Sequence, residues 1–317
     1  MKRKAIAAST HINRHNTKIS LEALESAADQ INNGTEVPII GLDHDITIPP
    51  LGKCIKAYTE LLPDGEHQAV IIQDYFDEHG QIEMPDGSIL IKEYSLSDNR
   101  PLATRGTESV EKTHLAYDFV NFESKESLAE FLSEVRSEGE FEEEVEARKA
   151  LIPDPQLILV LKAAFVGYLS SKLLPKVGDK IAEEVSKDIA DLYKFLKVAV
   201  SSYAKYAIPK YRPITYVFEM PWEVVPLEFV IRTSDPDTAV QAILIDKIVP
   251  CMDKAIQLTN TLAAVKIQFV YEEDNEWHFN YLFTSDGTVI GTPKSYDNRA
   301  KKYELMCSDQ TNSNNGV

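Results

Sequence analysis

Cysteine is scarce. The 317-residue chain carries three, Cys54, Cys251 and Cys307, far apart and without CxxC spacing. That argues against a disulfide framework and a thiolate zinc site, and fits a reducing, cytoplasmic setting. Basic residues are also in short supply: 33 lysines and arginines face 50 aspartates and glutamates, a formal charge of −17. Such a balance repels phosphate backbones and anionic headgroups, so nucleic acid is not an expected partner. Long apolar runs are missing too. The strongest, Leu157 to Leu174, is interrupted by Lys162, Ser170, Ser171 and Lys172 and falls short of the ~20 residues that span a bilayer. It reads as a buried helix, with no permanent membrane span. Met1 to Ala8 opens like a signal peptide but meets Ser9, Thr10, His11, Asn13 and Arg14 before an apolar core develops, so export by that route is not expected. The P-loop, GxGxxG, HExxH and GxSxG patterns are absent, and no cofactor is implied.

What is present fits a globular α+β protein. Hydrophobic residues make up 44% of the chain, enough for two or three cores at this length. Lys4 to Thr10 reads as a short strand. Ser20 then caps a helix with Leu21, Leu24, Ala27, Ala28 and Ile31 on one face and Asn33-Gly34 as its stop. Strands follow through Cys54 and Tyr58, across the Pro63-Asp64-Gly65 turn to Gln68–Phe76, and on to Ser88–Leu96, with turns at Glu78-His79-Gly80 and Pro85-Asp86-Gly87. Short strands at this spacing predict a small antiparallel, barrel-like N-terminal domain over residues 1–122, with the first helix packed on it.

Residues 123–208 read as a helical connector. Ser124 caps a helix with Leu128, Phe131, Leu132 and Val135 inward, and the glutamates at 138, 140, 142, 143, 144 and 146 read as a solvated face or linker, with a domain boundary near 123–153 closed by Pro153 and Pro155. From Val177 to Ile208, Ile181, Val185, Ile189, Leu192, Leu196, Val200 and Tyr203 share one helical face, so this long helix is expected either to pack across two domains or to self-associate. Tyr193, Tyr203 and Tyr206 on it read as the edge of a core or interface. Residues 209–306 predict an α+β domain: an antiparallel sheet with one helix from Asp235 or Asp237 to about Leu262. The tail 307–317 reads as flexible.

The chemically loaded stretch is Gly41 to Lys53, where His44 stands between Asp43 and Asp45 beside Pro49-Pro50. A histidine at the exposed end of a strand can act as a general base oriented by a carboxylate, and it then needs a nucleophile within hydrogen-bond reach. The same spacing equally describes a turn held by Asp43 and Asp45. His11, His15, Asp43, His44 and Asp45 form an alternative metal-binding set, suited to zinc or another first-row ion if they converge. His114 and His278 sit in alternating strands and read as locally satisfied.

Thr10-His11-Ile12-Asn13-Arg14-His15-Asn16-Thr17-Lys18-Ile19-Ser20-Leu21-Glu22-Ala23-Leu24, then Asp43-His44-Asp45, Pro50-Leu51-Gly52-Lys53 and the Asp64-Gly65 hairpin together resemble the opening of the phage prohead (capsid maturation) serine proteases. The resemblance covers about residues 4–100. It implies a small β-barrel with short helices, His44 as the catalytic histidine and Glu93 near the position of the third member. The family's serine motif, Ser-hydrophobic-Gly-aromatic, has no counterpart here, which leaves Ser88, Ser95 and Ser97 as the available nucleophiles. The resulting expectation is a catalytically incomplete capsid-protease-like domain that recognises a protein partner, in a phage, prophage or anti-phage defence setting. Two alternatives stand beside it: an active serine endopeptidase using His44, and a membrane-acting effector working through residues 157–208.

Overall fold

The computed structural model describes residues 1–12, 18–43, 45–105, 108–146, 154–173 and 181–314, with the backbone alone for 181–188 and 307–314. His15, His44, Pro153 and residues 177–180 of the expected long helix lie outside the described residues. The chain divides into two compact units, Met1–Ala103 with Tyr281–Val317, and Thr104–Asn280. Neither cut falls at the expected limits of 122 or 208, because the C-terminal residues return to the first unit.

In the first unit, β1 (Lys2–Ser9) leads to α1 (Leu21–Asn33), β2 (Ile39–Ile40), β3 (Gly52–Leu61), β4 (His67–Tyr75), β5 (Glu78–Glu83) and β6 (Ile89–Tyr94). The first four strands form an antiparallel sheet in the order β1-β4-β3-β2. Ser20 Oγ accepts from Ala23 N at 3.2 Å and starts α1, whose Leu24 and Ala28 are buried; the helix packs on β3. Asn32 fixes its angle by pairing with both backbone groups of Ala57, at 2.7 and 2.9 Å. Gly34 ends the helix in an extended conformation; a Cβ there would lie 2.4 Å from the Gln30 carbonyl oxygen, so close approach rather than a left-handed cap requires glycine. Glu78 to Gly80, expected as a turn, belongs to β5, which pairs with β6 along its whole length.

The second unit contains β7 (Thr113–Asp118), α2 (Lys125–Arg136), β8 (Phe141–Glu146), β9 (Gln156–Val160), α3 (Ala163–Leu173), α4 (Ile181–Tyr206), β10 (Ile214–Met220), β11 (Leu227–Thr233), α5 (Pro236–Ala242), α6 (Ile245–Leu262), β12 (Ala264–Tyr271) and the start of β13 (Trp277–Thr284). The expected antiparallel C-terminal sheet is mixed: β9 runs parallel to β10, β11 to β12 and β7 to β8. The expected helix at Leu157–Leu174 opens as a strand, because Gln156 to Val160 are all buried inside this sheet, and is helical only over Ala163–Leu173. The acidic run is not a linker. Residues 141–146 of it are β8, with Glu142, Glu143 and Glu144 exposed as a solvated face; Glu143 and Glu144 meet Arg136 and Arg105, and Glu140, just ahead of the strand, meets Lys112. The expected single helix after Asp235 breaks at Ile243-Leu244 into α5 and α6.

Leu115, Leu159, Phe218, Phe229 and Phe269 lie in register across one face of that sheet and are all buried. Phe131 of α2 and Tyr203 of α4 join Tyr117 and Phe122 there in edge-on contacts. Tyr203 Oη donates to Gln156 O at 2.8 Å. The apolar face of α4 that suggested self-association, from Ile189 through Leu192, Leu196 and Val200 to Tyr203, is thus buried, and Tyr203 and Tyr216 tie it to its own sheet. No helix among the described residues is long and apolar enough to cross a membrane.

The chain then re-enters the first unit with the end of β13, β14 (Val289–Gly291) and α7 (Pro293–Asn314). β14 pairs with β6 on one side and β13 on the other. The expected flexible tail is helical in its backbone as far as Asn314.

Candidate functional site

The stretch from Gly41 to Lys53 is held to α7 by charge. Asp45 is buried; its Oδ1 accepts from Thr47 N at 3.1 Å and from Thr47 Oγ1 at 2.6 Å, and its Oδ2 from Lys302 Nζ at 2.9 Å. Asp43, in the left-handed region at φ 52°, lies 3.4 Å from the same ammonium. Arg299 Nη1 donates to Pro50 O at 2.9 Å, and Tyr281 Oη to Ile46 O at 2.7 Å. Arg299 and Lys302 stand three apart on one face of α7, the spacing that lets both reach a single loop. His44 itself lies outside the described residues.

Gly52 and Lys53 have structural explanations. A Cβ on Gly52 would sit 2.2 Å from Asp74 O, so β4 approaches only a glycine. Lys53 is fully buried and donates to the carbonyls of Asp98 and Arg100, both at 2.8 Å, and of Asp286 at 3.5 Å. Burial holds this ammonium below the usual lysine range, against the pull of the Asp98, Asp286 and Asp74 carboxylates. It gathers two loops by capping their carbonyls.

Each candidate nucleophile gives its hydroxyl hydrogen to an aspartate. Ser95 Oγ and Ser97 Oγ both lie 2.5 Å from Asp74 Oδ2, with Ser95 and Asp74 buried. Ser88 Oγ donates to Asp86 Oδ1 at 2.5 Å, inside the turn that Gly87 completes at φ 79°. Glu93, 5% exposed, accepts a two-pronged pair from Arg299, at 2.5 and 2.7 Å. His79 Nδ1 approaches the same carboxylate at 3.3 Å from the surface. Of the proposed metal ligands, the three described do not gather: His11 Nε2 meets Asp64 at 2.8 Å, while Asp43 and Asp45 meet Lys302; His15 and His44 lie outside the described residues. Among the described residues no group of three or more His, Cys, Asp or Glu is placed to hold a metal ion.

A second polar cluster stands in the other unit. Glu219 and Glu228 face each other across β10 and β11, and Gln268 lies beside Glu228 on β12. All three are buried. Glu228 accepts from Lys266 Nζ and from Gln268 Nε2, both at 2.6 Å, and Asn280 donates to Gln268 at 2.6 Å. Glu219 Oε2 is buried with no hydrogen-bond partner among the described residues. Burial pushes the Glu219 carboxyl up to about 8; Lys266 opposes that shift and Glu228 adds to it.

The chain matches no family model, no curated protein and no solved structure.

Local patterns place Asp43, Asp45, Glu93 and Ser95 in one region but do not reveal that Lys302 and Arg299 neutralise the three carboxylates or that Asp74 accepts from Ser95. Asp74 announced itself weakly, as a carboxylate at the same strand parity as buried Val70. Arg299 and Lys302 carried a usable signal, two cations three apart in a stretch of helix-forming residues. His79 was hidden by the turn reading of Glu78-His79-Gly80. The Glu219–Glu228 pair needed the strand register, which no local pattern supplies.

Proposed function

We propose that the protein is a non-catalytic interaction or sensor protein, its first unit a barrel-like scaffold of capsid-protease type that recognises a protein partner. The observation that carries this reading is the commitment of the candidate catalytic groups: Ser95 and Ser97 to Asp74, Ser88 to Asp86, and Glu93 to Arg299. A carboxylate is a weaker base than an imidazole by roughly 2–3 pKa units, so an aspartate that orders a serine is a poor activator of it. A catalytic acid must also be free to orient a histidine, and Glu93 is already spanned by both terminal nitrogens of the Arg299 guanidinium. The phage, prophage or anti-phage setting rests on the resemblance of Thr10–Leu24 and Asp43–Lys53 to prohead proteases. The net charge of −17 favours a partner with a basic surface.

One contact favours a second reading, a serine endopeptidase: the approach of His79 to Glu93 at 3.3 Å supplies an acid–histidine pair. Digestion of a diverse denatured-protein mixture, read by mass spectrometry for new termini, separates the two. The scaffold reading expects no cleavage from the folded protein. Cleavage abolished by Ser95→Ala or His79→Ala, with folding intact, would overturn it.

A further inference from the structure

Glu219 and Glu228 form the last pair but one of the β10–β11 hairpin; only Met220 and Leu227 separate them from the loop 221–226. That loop contributes Pro221, Trp222 and Val224 to the lining of a cleft of about 440 Å3, to which Val166, Gly167 and Ser170 of α3 also contribute. The two carboxylates stand at the neck of a loop that shapes a cleft.

Directly opposed residues on antiparallel strands have Cβ atoms ~5 Å apart. Two ionised carboxylates at that spacing, away from water, repel strongly, and such pairs keep one proton. The local cations do not remove the conflict. Lys266 on β12 is bound to Glu228 at 2.6 Å, and Arg105, ahead of β7, gives its Nη2 to Glu144 and Glu146 of β8, while its Nη1 is buried without a hydrogen-bond partner among the described residues and acts on Glu219 through space only. On β7, His114, whose backbone pairs with Val160 beside Glu219, reaches Glu142 at 3.1 Å. Gln268 donates to Glu228. Both oxygens of Glu228 thus accept from donors, and Glu219, with its unpartnered Oε2, is the one left to carry a proton.

We propose that Glu219 and Glu228 hold a single proton between them and act as a switch on the 221–226 loop: release of that proton from Glu219 to solvent forces the carboxylates apart and shifts the Trp222 wall of the cleft. The elevated titration range of Glu219 sets the direction, with the closed neck at lower pH and the strained neck above it. The proposal does not depend on what the first unit does.

Trp222 is a built-in reporter, one of two tryptophans in the chain. Its fluorescence and acrylamide quenching, followed from mildly acidic to alkaline pH in the full-length protein and in Trp277→Phe, read the wall directly. The expected result is a one-proton transition on the alkaline side of neutrality. It is lost in Glu219→Gln, moved to lower pH by Glu228→Gln, which removes the like charge and frees Lys266, and moved to higher pH by Lys266→Met. A flat wild-type profile, or a transition that survives Glu219→Gln, overturns the proposal. Should Glu219→Gln fail to fold, the Glu228→Gln midpoint decides alone: a shift to lower pH supports the switch, and an unmoved midpoint removes it.

Discussion

Ser95 Oγ donates to Asp74 Oδ2 at 2.5 Å, inside the first unit, and the Asp74 carboxylate is 2% exposed. A buried carboxylate needs such donors, because an ion removed from water without them is costly. Ser97 supplies a second donor to the same oxygen. Ser95→Ala should therefore lower stability by about 1–2 kcal/mol, and Asp74→Ala, which strands two hydroxyls, by about 2–4 kcal/mol. Urea midpoints of the two variants check the order. Equal, negligible losses would mean that Asp74 is not the structural acceptor described here.

Glu93 and Arg299 form a two-pronged pair with side-chain exposures of 7% and 15%. Removing one partner leaves a buried charge alone and should cost about 3–5 kcal/mol, in Glu93→Gln or in Arg299→Met. The double variant should cost less than the sum of the singles, with a coupling of about 1–3 kcal/mol. Additive losses in a double-mutant cycle would separate the two residues energetically.

Gly287 has φ 73°, and a Cβ on it would lie 2.1 Å from Lys53 Nζ and 2.3 Å from Arg100 O. Gly287→Ala should therefore destabilise by at least ~1 kcal/mol through backbone conformation alone, and by more through the clash. Adding Lys53→Met should not rescue it, since the Arg100 carbonyl remains and loses its donor. Thermal midpoints of the single and double variants test this; full rescue would contradict the geometry.

Glu134 of α2 is tied to α4 by Lys205, Ser202 and Tyr206, at 2.5, 2.5 and 2.8 Å. These bonds, that from Lys205 foremost, hold its carboxyl down to about 2. Its folded value is depressed, so its contribution is present above the unfolded value near 4.5 and is lost as pH falls toward 2. The carboxylate is 37% exposed, which limits the contribution to about 1 kcal/mol. Glu134→Gln should lower stability at neutral pH by that order and flatten the decline between pH 4.5 and 2, as read by urea denaturation across that range. An unchanged acid limb would assign the decline to other groups.

Local patterns carried some of this fold and not the rest. The first helix was legible because Ser20, Leu24 and Ala28 declare its cap and its buried face, and the β3–β4 hairpin because Pro63-Asp64-Gly65 places glycine where φ is 87°. β9 was misread because five consecutive buried residues have no period; strand and helix differ there only in what they pack against. β8 was misread because its glutamates are matched by cations remote in sequence, Arg105 among them. The site shows the same division. Asp43, Asp45 and Glu93 stand out as charges among apolar strands, but their partners Lys302 and Arg299 lie 257 residues from Asp45 and 206 from Glu93, and only the return of the chain to the first unit brings them together.

The claim that the first unit is a scaffold rather than an enzyme is tested most directly by intact-mass measurement after exposure of the folded protein to a fluorophosphonate. The account predicts an unmodified mass, with Ser88, Ser95 and Ser97 all unlabelled. A stoichiometric adduct that maps to Ser95 and disappears in Ser95→Ala would contradict it.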